Sequence, residues 1–319
     1  MALSKFLDAR NDIAFKRIFG SEKNKDILIH FLNDILGFTG LGAILEVEFL
    51  TTVLDPEIAA KKQSIVDILC KDSQGLRYIV EMQFTKTKGF EKRAQYYAAK
   101  AYSSQADQGD EYHNLKEIIF IAVADCIIFP DKTEYKSDHI ILDRNSFEHD
   151  LRDIYFTFIE LPKFLKTKED QLENIVEKWC YFFKYAAETR EEDLDKIVGS
   201  DVIIKRAYEE MNKFNWSEQE LLAYEQGKKR LRDEIAALAE KFDEGIKVGH
   251  EQGIKIGEER GIQIGSLQGK IEGKIEGKIE GKIEGKIEVA KNSLESGIPI
   301  DVIAKITGLP KNEIKKLQE

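Results

Sequence analysis

From Gly245 to Gly285 a glycine recurs at every fourth position, eleven in all, and the run ends in five perfect GKIE units. No other stretch limits the fold as much. Glycine costs a helix up to about 1 kcal/mol per position relative to alanine, and a period of four stacks like upon like. Glu272, Glu276, Glu280, Glu284 and Glu288 form one ladder of like charge, and Lys270 to Lys286 form another. A helix here gains stability if a second helix docks along the glycine stripe, with the Ile271 to Ile287 stripe buried beside it. The stripe drifts by about 40° per tetrad, so a partner following it winds in a right-handed sense. The alternative is a spacer lengthened by tandem duplication. On either reading the globular core must come from the residues before the repeat.

Those residues are sufficient. The chain has 319 residues, 42% of them hydrophobic and 10% aromatic, enough for a proper core with length left for further modules. The opening MALSKFLDARNDIAF lacks the apolar region of a signal peptide. The longest apolar run, residues 118–129, is too short for a bilayer and is interrupted by Asp125. The expectation is a cytoplasmic protein that does not enter membranes. Cys70, Cys126 and Cys180 are far apart in apolar contexts and form no CxxC, as reduced core thiols would. The five histidines form no ligand cluster, which argues against zinc. A formal charge of −10 argues against coating nucleic acid by bulk electrostatics, but leaves room for a small acidic, metal-assisted site.

Apolar spacing predicts two helices or one broken helix between Asn11 and Leu36. Residues 44–54, 64–71 and 76–84 read as strands, the last two joined at DSQG; 90–108 reads as a helix, and 115–129 and IYFTFIELPKF as further strands. Beyond Pro162 the pattern is helical to about Phe242, with Trp179, Phe182 and Phe183 on a buried face. The order predicts a mixed sheet flanked by helices. If the turn is a three-residue loop, Ser73-Gln74-Gly75, then Asp72 pairs with Leu76 and Asp67 stands opposite Glu81, with Gln83 two residues on along the same face. Two facing carboxylates repel unless a cation lies between them, and oxygen ligands completed by water and phosphate suit magnesium. The plain alternative is a pair of acids on an exposed face that binds nothing.

The spacing D67-x13-E81-M82-Q83 resembles the active-site motif of the PD-(D/E)XK nucleases. NDIAFKRIFG, FLNDILG, IVDI, VEMQ and KRAQYYAAKAYS, in that order, resemble the recombination-promoting nuclease or transposase-like branch over about residues 8–165, and more loosely to about 240. The resemblance implies an α/β fold of PD-(D/E)XK type and a magnesium-dependent DNA endonuclease of low sequence specificity, with manganese as a substitute metal. Asp67 and Glu81 would bind the metal. The superfamily's usual lysine is replaced by Gln83, which can hold a water but brings no positive charge. Arg93, with Tyr97 one turn on, is the candidate for a compensating cation and a phosphate contact; an ordinary surface ion pair and a packing tyrosine are the alternatives. Asp12 and Lys16 in the first helix are further candidates to complete the site.

Four regions follow: a nuclease-like domain at 1–165, a helical extension at 166–243, the tetrad repeat at 244–289, and a helix-turn-helix-like unit at 290–319 with Pro310 opening its second helix. That last unit reads equally as a cap for the repeat or a DNA reader. DNA and further copies of the chain, joined through the repeat, are the partners expected. Recombination or transposition is the setting the resemblance suggests. The competing reading is a weakened nuclease-fold protein that binds nucleic acid or a protein through an oligomerising tail.

Overall fold

The computed structural model describes residues 4–54, 64–106 and 111–318. Contacts divide the chain into two units, Met1–Ala236 and Ala237–Glu319. The first unit is built on a six-stranded mixed sheet of order β1-β2-β3-β4-β6-β5. Its strands are β1 (Val47–Phe49), β2 (Ile68–Asp72), β3 (Arg77–Gln83), β4 (Ile118–Ala124), β5 (Lys136–His139) and β6 (Ile154–Glu160). Strands β3, β4 and β6 run parallel, and the remaining pairs are antiparallel.

Every residue of β4 is buried, which explains its unbroken apolar run: a parallel strand covered on both faces has no polar side to show. One face packs on α1 (Asp12–Phe19), α2 (Lys25–Leu36), α4 (Ile175–Tyr185) and α6 (Val202–Glu210), around Phe15, Phe19, Phe31, Trp179 and Phe183. The other face is covered by α3 (Phe90–Ser103), whose Ala94, Ala98 and Ala101 let the helix lie close to Ile79, Phe120 and Phe158. α5 (Glu191–Val198) joins the first of these faces through Leu194, Ile197 and Val198.

The N-terminal stretch is two helices. Asn11 caps α1 by accepting from Ile13 N, and Gly37, at φ +71°, ends α2. The first two expected strands are shorter than their alternation suggests. β1 spans three residues, and outside it Val53 and Ile65 form one isolated bridge. β5 was not expected, because its sequence, KSDH, carries no apolar alternation. The expected helix at 90–108 ends at Ser103, and its last two residues lie outside the described residues.

The hairpin between β2 and β3 has the three-residue loop. Gly75 sits at φ +90°, its N–H donates to Asp72 O at 3.1 Å, and Asp72 N donates to Leu76 O at 3.0 Å. The pairing that follows runs from Lys71↔Arg77 to Ile68↔Val80. An added Cβ at Gly75 would lie 3.2 Å from Lys116 Cγ in a conformation that L residues avoid. Gly75→Ala should therefore lower stability by about 1–2 kcal/mol, read as a lower urea midpoint with unchanged slope.

α7 (Glu218–Glu295) takes up the repeat as regular helix, and every glycine from Gly245 to Gly285 faces open space. Helical geometry corrects one expectation. Ile stands two residues from the glycine on either side, about 160° around the axis, so the isoleucine stripe lies opposite the glycine stripe and not beside it. Within the second unit, α8 (Ile300–Thr307) and α9 (Lys311–Lys316) pack on the end of α7 through Ala290, Ile303, Leu309 and Ile314. No helix of the described residues is long and apolar enough to cross a membrane.

Candidate active site

The β2–β3 ladder ends at Ile68↔Val80, and the next pair is joined through side chains. Asp67 N donates to Glu81 Oε1 at 2.9 Å, and Met82 N donates to Asp67 Oδ2 at 3.0 Å. Each acid thus accepts a backbone N–H from the opposite strand, and the two carboxylates are fixed beside each other. Glu81 is only 6% exposed. Burial, and then the neighbouring Asp67 charge, push its pKa up to about 8. Asp67 is also raised, chiefly by burial.

Alternation places Ile79, Glu81 and Gln83 on the sheet face that α3 covers. Arg93, one turn into α3, donates through Nη2 to Gln83 Oε1, and Gln83 Nε2 donates to Thr85 O. The Gln83 amide is therefore engaged at both ends. The Arg93 guanidinium lies 5.9 Å from the Tyr97 ring centre and 4.8 Å from that of Phe90. Its charge lowers the Glu81 pKa, while its Nε is buried without a hydrogen-bond partner among the described residues. An unpaired buried donor costs about 1–3 kcal/mol until an acceptor reaches it. Tyr97 is half-buried, and its pKa is raised mainly by burial, with Glu81 and Asp67 adding to the shift.

Among the described residues, the cation paired with Asp67 comes from α1. Lys16 Nζ lies 3.4 Å from Asp67 Oδ1 and 2.8 Å from Asp12 Oδ1. It lowers the pKa of both Asp67 and Glu81. Sequence spacing offers Lys16 and Asp12 only as members of an early helix; the fold brings them to the hairpin. A second charged cluster went unread in the sequence. Arg10 bridges Asp8 and Asp125, both at 2.8 Å, and Asp125 N donates to Gln83 O, so this network braces the end of β3. Its one signal was Asp125 directly after the apolar run of β4.

Among the described residues no group of three or more His, Cys, Asp or Glu side chains could hold a metal ion. Two adjacent carboxylates nevertheless match the donor set magnesium takes, since it keeps several waters and binds through one or two carboxylates plus phosphate oxygens. Asp67 Oδ1 and the second Glu81 oxygen take no part in the reciprocal backbone bonds. A family model described as PD-(D/E)XK nuclease family transposase matches residues 9–241. No curated protein and no solved structure gives a match.

Proposed function

The chain belongs to the PD-(D/E)XK nuclease family transposases, and on that premise we propose that it is a magnesium-dependent DNA endonuclease that hydrolyses phosphodiester bonds with little sequence preference. The observation that carries this reading is the interlocked pair of half-buried Asp67 and buried Glu81, which is electrostatically unfavourable without a cation. In it these two residues hold the divalent ion, magnesium or manganese. When bound, such an ion supplies charge neutralisation at the scissile phosphate and a more acidic water. Arg93, through an Nε that has no partner among the described residues, donates to a phosphate oxygen of the substrate, and Gln83 fixes the guanidinium in place. Tyr97 lines the same approach.

Lys16 provides the positive charge that Gln83 lacks. It stands against Asp67 from outside the hairpin, where it can orient a water and favour the ionised form of both acids. Lys16→Ala should lower the cleavage rate by roughly a hundredfold, the scale of losing one preorganised charge contact. It should also move the acidic limb of the pH–rate profile upward, because Asp67 and Glu81 then hold their protons to higher pH. A profile that drops in height without moving would leave Lys16 a packing role.

Incubating the pure chain with supercoiled plasmid, in magnesium or in EDTA, tests the enzyme reading directly. Magnesium-dependent nicking is expected. Its absence at high protein concentration would favour the second reading, a weakened nuclease-fold protein that binds nucleic acid, for which Gln83 in place of lysine is the supporting feature. The full reading includes a second copy of the chain joined through the repeat tail, action in the cytoplasm, which the three free thiols support, and a part in recombination or transposition.

A further inference from the structure

In helical geometry each GKIE unit places Gly at 0°, Lys at about 100°, Ile at about 200° and Glu at about 300° around the axis. The isoleucines therefore form a ridge with a lysine row along one side and a glutamate row along the other. Ile271, Ile275, Ile279 and Ile283 are each about half exposed, 51%, 54%, 53% and 48%, an unpartnered apolar ridge on a long helix.

We propose that this ridge is covered by the same ridge of a second copy, with the two helices parallel. The inference rests on the tail-joined second copy proposed above and specifies its face and direction; it does not depend on the nuclease reading. The flanking charges decide the direction. When two such helices face each other ridge to ridge and run the same way, left and right are exchanged between them. The lysine row of one then lies beside the glutamate row of the other on both sides of the ridge. Turning one helix end for end exchanges the sides again, and lysine meets lysine while glutamate meets glutamate. Each exposed pair contributes little, but flanking charges repeated along a seam set orientation, as they do in coiled coils.

The same pairing also relieves the ladders within each chain, because the lysines and glutamates nearest the crossing gain an opposite charge across the seam. An i±4n row packed against its counterpart crosses at about −50°, and the drift of the tetrad gives that crossing its right-handed sense. Two-fold symmetry satisfies both chains with one surface and leaves no ridge open for further addition.

Light scattering on the full-length chain, without DNA or metal, gives the first readout: the mass of two chains is expected. Replacing Ile271, Ile275, Ile279 and Ile283 together by lysine should halve that mass. These side chains have no partners in the monomer to lose, and circular dichroism would verify that the helix remains. Direction is read from nitroxide labels at Gln252 or Lys291, each introduced as cysteine in a Cys126→Ser background. A parallel crossing keeps same-site distances below about 40 Å at both positions, whereas an antiparallel pair separates at least one of them by more than about 55 Å. A mass other than two chains, a dimer that survives the isoleucine replacement, or a long distance at either label overturns the proposal. All these results stand whether or not the protein cuts DNA.

Discussion

Asp67→Asn should reduce magnesium-dependent nicking of supercoiled plasmid by at least about a hundredfold, since loss of even an outer residue around a metal costs 10–100-fold. Asparagine is the informative replacement. Its side-chain oxygen can still accept from Met82 N, which keeps the end of the hairpin tied, while the negative charge is gone. Alanine would remove the tie together with the charge and confuse folding with chemistry. The rate at saturating magnesium, measured beside a thermal melt, separates the two. Cutting within tenfold of the parent, at unchanged melting temperature, would take Asp67 out of the chemistry.

The second large effect lies in stability without metal. Folded Glu81 keeps its proton to about pH 8, whereas its ordinary value is 4.5, so between these values the folded chain binds more protons than the unfolded one. Stability then falls as pH rises from about 4.5 to about 8 and levels off above. A shift of this size corresponds to a few kcal/mol, and the raised Asp67 acts in the same direction. Glu81→Gln should flatten this fall and make the metal-free chain the more stable form at pH 9, as measured by urea unfolding in EDTA at several pH values. Magnesium should raise the stability of the parent at pH 8–9 and do little for the variant, by about 2.7 kcal/mol at a hundred times the dissociation constant. A parent whose stability rises steadily from pH 5 to pH 8 in EDTA would show that Glu81 is ionised without help.

The hairpin could be read from sequence because its register depends on local chemistry. Asp72, Gly75 and the alternation on either side fix the turn, and a fixed turn fixes every pair down to Asp67 and Glu81. The β4 run and the α1–α2 pair were legible for the same reason, their signal being carried within each element. What joins Lys16 to Asp67 is different. Fifty residues of chain lie between Lys16 and Asp67, and the contact exists only because Phe15, Ile18 and Phe19 seat α1 on the sheet. β5 stayed hidden because an edge strand with a half-exposed polar sequence needs only its neighbour's backbone. The tail was legible as a period, but which residues share a face follows from the helix angle, not from adjacency in the repeat.

The interlock of Asp67 and Glu81 also bears on how such a chain changes over generations. Changing Glu81 to Gln takes a single base substitution, preserves an oxygen for Asp67 N, and removes the buried charge. A lineage no longer needing the site would thus have a short mutational path to a sturdier protein, and drift alone would favour taking it. This chain carries the costlier acid, with Asp67 beside it and the α1 lysine still favouring its charge. Natural variants that have lost activity should accordingly show their first change at position 81, earlier than in the packed residues of either core.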